Sequence, residues 1–155
     1  MNWEKSGGAH ITWAHVDAAL CAARTIWIAS AGARSGHAAP VWFLWDGRRI
    51  VFSTGVGTRK GRDIAARPYV CLHLGDGDEV VIVEGRAEVL TDPVTLTQLE
   101  EKYAQKYVEP RVGIGAALLG GDQDTVYAVN PRRILAWSYG DVTTRTEWTP
   151  EQDSS

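Results

Sequence analysis

The sequence predicts a single, mainly β domain, built as an antiparallel, closed or partly closed barrel with helices at its periphery. Runs of β-branched and aromatic residues recur at short intervals, separated by turns containing Gly, Asp or Pro. One of those turns, Asp46-Gly47, is a strong hairpin signal. The order is strands, helix, strands with antiparallel returns, which suits a barrel better than a parallel sheet. The 155 residues are enough to bury a continuous core, and no repeat or linker divides them.

A short helix is expected over residues 16–23, with Asp17 near its start. Thr25–Ser30 follows as a strand and Ala31–Gly36 as a turn. The apolar run Pro40–Trp45 reads as a buried strand, which Asp46-Gly47 turns so that Ile50–Thr54 returns antiparallel. Gly55–Thr58 breaks that strand. A helix over Arg59–Arg67 is capped by the Thr58 hydroxyl and stopped by Pro68. Strands resume at Tyr69–Leu74 and, after the turn Gly75–Asp78, at Glu79–Leu90. There Gly85, Ala87 and Val89 alternate with Glu84, Arg86 and Glu88, giving one buried and one wet face. Asp92-Pro93 opens a longer helix with Pro at its first position. Leu96, Leu99, Tyr103 and Tyr107 recur on it at steps of three, four and four, one stripe that packs on the barrel. Arg111–Gly121 is a Gly-rich loop, and two or three strands fill Thr125–Trp148.

Composition narrows the function. The formal charge is −3, which argues against a nucleic-acid partner, because tracking phosphates needs an excess of Lys and Arg. Cys21 and Cys71 lack disulfide or thiolate-metal spacing and are expected as small buried side chains. The start of the chain lacks the apolar core of a signal peptide, and no run approaches the ~20 residues of a membrane span. A cytoplasmic protein is expected. Seven tryptophans are the compositional oddity; they suit a core, an interface or a flat conjugated ligand.

The informative segment is Phe52–Arg62. It joins a strand to a helix and places Arg59 and Lys60 in the first helical turn. The helix N-terminus already carries roughly half a positive charge, so each cation there costs about 0.3–1 kcal/mol. A bound phosphate would resolve the conflict, accepting bonds from free backbone N–H groups, from the hydroxyls of Ser53, Thr54 or Thr58, and from both cations. The alternative is that the cations extend into water. Removing both is expected to leave stability unchanged or slightly raised. The glycines form no Walker loop, which ends in Gly-Lys-Ser/Thr.

These residues also carry a family resemblance. Ala38–Thr54, followed by Thr58–Pro68, resembles the pyridoxamine 5′-phosphate oxidase-like superfamily, and most nearly its actinobacterial flavin/deazaflavin oxidoreductases that use coenzyme F-420. Val83–Val89, Ala136–Asp141 and Thr144–Trp148 extend the similarity over nearly the whole chain. The resemblance implies a mainly β, antiparallel FMN-binding split β-barrel of six to seven strands. It implies a homodimer with two cofactor sites at the interface. Arg59 and Lys60 would hold the phosphate, Ser53 and Thr54 would line the strand beside it, and Pro40, Val41 and Trp42 would run along the ring system. Flavin-mononucleotide oxidases of the superfamily carry a Gln in the strand matching Glu79–Val83 and an extra Arg in that matching Val41–Trp45. Both are absent here, which favours the deazaflavin, leaves FMN as the alternative, and argues against pyridoxamine phosphate oxidation.

No side chain is expected to be catalytic in its own right, because hydride transfer is the cofactor's chemistry. Trp42, Trp137 and Tyr139 are plausible walls for a flat substrate such as a quinone, enone or tetrapyrrole, and core packing explains them equally well. His10, His15, His37 and His73 share no metal-ligand spacing, and His73 reads as a satisfied core residue. Glu84 and Glu88 share a strand face and read as solvated surface. Ser30 and Ser35 lack a nucleophile elbow. A non-catalytic split-barrel carrier of a cofactor or haem is the alternative from another class.

Overall fold

The structure, a computed structural model, describes residues 2–8, 11–108 and 115–151, with backbone alone at 142 and 143. Its elements are β1 (Trp3–Gly7), α1 (Trp13–Ala22), β2 (Thr25–Ala31), β3 (Gly36–Trp42), β4 (Leu44–Trp45), β5 (Ile50–Gly55), α2 (Arg59–Ala66), β6 (Tyr69–His73), β7 (Glu79–Val89), α3 (Pro93–Lys106), β8 (Asp124–Ser138) and β9 (Asp141–Pro150). All the strand pairs are antiparallel, and the main path across the sheet is β1-β9-β8-β7-β6-β2-β3. Nine strands are present among the described residues rather than six or seven. The additions are β1, recruited by pairing with β9, and the two-residue β4.

The division of the barrel is written into β8. One edge of this 15-residue strand follows β7. The other pairs with β5 through residues 124–129 and with β9 from Ile134 onward. Between these partners Arg132 is an extra residue, because Glu84 opposes Arg133 while Gly85 opposes Pro131. A bulge bends a strand and interrupts the ladder, and it tolerates a proline, which has no N–H to donate. Gly85 is required there: a Cβ on it would come within 2.4 Å of the Asn130 carbonyl oxygen.

Inward-facing residues of the strands build one core, with Ile26, Ile28, Phe52, Leu72, Val83, Val129 and Ile134 all buried, and Phe43 from the break between β3 and β4 and Ile64 of α2 packed among them. Helix α3 covers the opposite face of β4, β5 and β8 through Leu99, Tyr103 and Tyr107, with Leu96 partly buried. Four tryptophans, Trp3, Trp13, Trp45 and Trp148, cluster at one end, with Trp13 4.8, 6.3 and 5.9 Å from the other three. Among the described residues no helix is long and apolar enough to cross a membrane.

Several expectations are corrected. Helix α1 starts at Trp13 because Thr12 caps it, its hydroxyl accepting from His15 N–H, while Asp17 instead accepts a 2.7 Å bond from Trp45 Nε1. Gly36 already belongs to β3. The run Pro40–Trp45 is not one buried strand: β3 is a sheet edge with alternating exposure, and the chain breaks at Phe43, whose backbone is bonded to Tyr107 and Lys106. Val89, at the end of β7, is 55% exposed, and Cys21 is exposed. Residues 111–114 of the Gly-rich loop lie outside the described residues.

Candidate functional site

Helix α2 begins beside the β2–β3 loop, and its first turn defines the site. Thr58 caps it, accepting the Gly61 N–H at 3.0 Å, while the Thr58 O–H donates to the Gly55 carbonyl at 2.8 Å. Its one proton is thereby used. The 3.1 Å approach of Thr54 Oγ1 is then Thr54 donating to Thr58. Neither hydroxyl keeps a proton for a ligand. Ser53 points to the opposite face of β5 from Thr54, because successive strand side chains alternate. The structure thus brings Thr54, Thr58, Arg59 and Lys60 together and turns Ser53 away.

The two cations differ. Arg59 donates to Ser35 Oγ at 2.9 Å, lies 3.4 Å from the carbonyls of Ser35 and Gly36, and stands 3.7 Å from Asp63 Oδ2, an ion-pair distance too long for a hydrogen bond. Arg59 therefore clamps the β2–β3 loop to α2, which the sequence did not reveal. Lys60 has no carboxylate or hydrogen-bond partner among the described residues, and burial pushes its ammonium below the ordinary lysine range. The backbone N–H groups of Arg59 and Lys60 are first-turn donors that no helical carbonyl can reach. A half-buried lysine, two free amides and a neighbouring guanidinium fit a phosphate group.

The loop that Arg59 holds opens onto β3, whose edge carries Ala38, Ala39, Pro40, Val41 and Trp42. From Gly36 to Pro40 the strand covers roughly 14 Å at about 3.4 Å per residue. Pro40 and Trp42 share the outer face, while Val41 faces inward and is buried. Trp42 is stacked on Tyr107 with ring centroids 4.6 Å apart and planes 2° from parallel. The outer face of β2, β6, β7 and β8 adjoins the same loop and holds a groove of about 950 Å³, whose lining includes Ala29, Ser35, Tyr69, Cys71, Glu84 and Arg132. Ser30 also borders the groove, and its hydroxyl is buried without a hydrogen-bond partner among the described residues.

The three aromatic residues expected around a substrate are not gathered within one chain. Trp42 lies on β3 and Trp137 on β8, with β2, β6 and β7 between them. Four strand spacings amount to roughly 19 Å along the sheet. Tyr139 is 61% exposed beyond the end of β8, its N–H donating to the Asp78 carbonyl.

The remaining candidates resolve as structure. Glu84 is bonded to Arg133 at 2.8 Å, and Glu88 to Arg86 and to Asn130, so both are paired surface carboxylates. His73 lies parallel to Trp27, and its Nδ1 is 2.9 Å from the Leu74 carbonyl. No cluster of metal-ligating side chains occurs among the described residues; His10 lies outside them. Burial raises both cysteine thiols above their ordinary range, which disfavours the thiolate.

Comparison with known proteins places the chain in a family. Residues 12–138 match the family model described as pyridoxamine 5′-phosphate oxidase. A pyridoxine/pyridoxamine 5′-phosphate oxidase of Methylibium petroleiphilum is 36% identical over 74 residues, a match spanning 46% of this chain and 33% of that protein. The chain thus matches about a third of that relative's length. Among solved structures, a pyridoxamine 5′-phosphate oxidase-like protein from Listeria innocua superposes with a TM-score of 0.62 at 18% identity, covering 78% of this chain and 94% of that one. An F420 reductase superposes with a TM-score of 0.58 at 22% identity, covering 75% and 93%. These two likenesses establish the antiparallel split-barrel fold, and the family match across most of the sequence establishes the relationship: the chain belongs to the pyridoxamine 5′-phosphate oxidase family.

Proposed function

We propose that the chain is an oxidoreductase that holds a deazaflavin, coenzyme F-420, with its phosphate at Lys60 and Arg59 and its ring system along β3, and passes hydride to a conjugated small molecule. The observation that carries this reading is Lys60: a half-buried cation at a helix N-terminus, without an acidic partner among the described residues, is costly unless an anion arrives. The all-apolar stretch Val41–Trp45, which lacks an arginine for the phosphate of FMN, supports the deazaflavin over FMN.

A bound deazaflavin would supply the hydride chemistry. The chain's own part is positional. Lys60 and the first-turn amides of α2 fix the anionic end, and Arg59 keeps the β2–β3 loop against it. The small side chains Ala38 and Ala39 let a flat group lie close to the β3 edge, and Trp42 bounds its far end. The exposed aromatics Trp27 and Tyr69 on the outer face of β2 and β6 support a homodimer, at a standard interface of about 800 Å² per partner.

Fluorescence titration of the purified protein with coenzyme F-420 and with FMN tests the cofactor. Stopped-flow oxidation of reduced F-420 against quinones, enones and tetrapyrroles tests the reaction. Saturable F-420 binding with faster turnover than the protein-free control is expected. Activity that requires FMN would replace the deazaflavin with the flavin, and binding without any turnover would make the protein a carrier.

A further inference from the structure

The Trp42 end of β3 carries a second cationic arrangement, built around the buried Tyr107. Its hydroxyl accepts the Phe43 N–H at 3.0 Å and lies 2.7 Å from the Arg24 carbonyl and 2.9 Å from that of Phe43. Lys106 Nζ already donates to the Phe43 carbonyl at 3.1 Å, so the single phenol proton goes to Arg24. Trp42 stacks on the ring of the same tyrosine. The Arg24 guanidinium carbon stands 5.8 Å from the Trp42 centroid and 5.3 Å from that of Tyr107. The backbone of Arg24 and the indole of Trp42 are thus fixed to one buried side chain, which makes a preformed ledge of cation and aromatic ring.

Among the described residues neither Arg24 nor Lys106 is paired with a carboxylate. The one carboxylate of α1, Asp17, is bonded to Trp45, and Glu100 of α3 accepts the Leu118 N–H at 2.8 Å. Lys106 sits at the C-terminus of α3, whose dipole offsets roughly half a charge. Among the described residues the Arg24 guanidinium is thus left without an anionic partner. Arg24 is exposed and Trp42 is 43% exposed, so both can meet a ligand.

We infer that Arg24 and Trp42 form a recognition ledge for a planar conjugated substrate bearing a carboxylate. The flat body lies by the Trp42 indole, and the carboxylate pairs with the forked donors of the guanidinium. This rests on the reading of β3 as the cofactor lane and adds the charge of the substrate to it. A neutral quinone or enone of the same shape leaves the guanidinium unmatched.

Equilibrium dialysis with anthraquinone-2-carboxylate and anthraquinone-2-carboxamide, with and without saturating F-420, tests the ledge. A charge-assisted contact predicts that the wild-type protein favours the carboxylate by about tenfold or more. Arg24→Gln should bring the ratio to within about twofold, and Arg24→Lys should retain part of it because the charge remains. A wild-type ratio near one, or a ratio undiminished in Arg24→Gln, overturns the proposal. Carboxylate preference in a protein that binds neither F-420 nor FMN would leave the ledge standing and refute the redox reading. Turnover with F-420 without any carboxylate preference would do the reverse.

Discussion

Lys60→Met separates an anion site from ordinary helix capping. Methionine keeps much of the apolar stem and removes only the charge, so packing changes little. In the protein without ligand, that charge sits half-buried at the positive end of α2 with no acid beside it. Its loss relieves a helix-dipole repulsion of about 0.3–1 kcal/mol. For a domain of this size that corresponds to a rise in Tm of roughly 1–4 °C. The same substitution removes one charge-assisted contact to phosphate, about 1.5–3 kcal/mol, or roughly 10- to 150-fold in Kd. Arg59→Met should behave differently, because Arg59 also bonds Ser35 and approaches Asp63. Its loss weakens binding and also costs the ligand-free protein about 0.2–1 kcal/mol, a range discounted for the exposure of the ion pair. Removal of Lys60 alone is thus the change expected to leave stability unchanged or slightly raised, while the contacts of Arg59 set its removal apart. Differential scanning calorimetry of ligand-free protein and fluorescence titration with F-420 and FMN supply the two readouts. A Lys60→Met protein that melts lower and binds as tightly as wild type would refute the anion site.

The depressed lysine also predicts a linked proton. With the folded pKa below the unfolded 10.5, the unfolded chain binds more protons between the two values, so the stability of the ligand-free protein should rise with pH through that window. Phosphate binding favours the charged form, so titrations in that range should show proton uptake by calorimetry in buffers of different ionisation enthalpy; Lys60→Met should abolish it. Tyr107→Phe leaves the buried Phe43 N–H without its acceptor and should cost about 1–3 kcal/mol in denaturant unfolding. Gly85→Ala forces a methyl group onto the Asn130 carbonyl at the bulge and should cost about 1–3 kcal/mol; an unchanged unfolding midpoint would contradict the register assigned there.

Local chemistry made much of the molecule legible in the sequence. The Asp46-Gly47 hairpin is present, with Gly47 at φ 84°, because the left-handed turn selects glycine regardless of surroundings. Thr58 and Asp92 cap α2 and α3 for the same kind of reason: a side-chain oxygen next to unpaired amides acts within one turn. The cations of α2 stood out because their placement contradicts the helix dipole wherever the helix sits. What lay beyond the sequence depends on pairings between distant residues. Trp3–Gly7 has no strong strand signal of its own and becomes a strand only because β9 offers a free edge. Pro40–Trp45 reads as one apolar run, and it breaks at Phe43 because a tyrosine 64 residues away takes the Phe43 N–H. Arg59 reads as a phosphate ligand, yet its strongest partner is Ser35, brought beside it only when β2 and β3 fold back over α2. Trp42 and Trp137 look equivalent in the sequence, and sheet order puts three strands between them. Capping, turns and charge placement act over a few residues and are written locally. Strand order, and therefore which side chains share a site, follows from burying one face of the whole sheet at once.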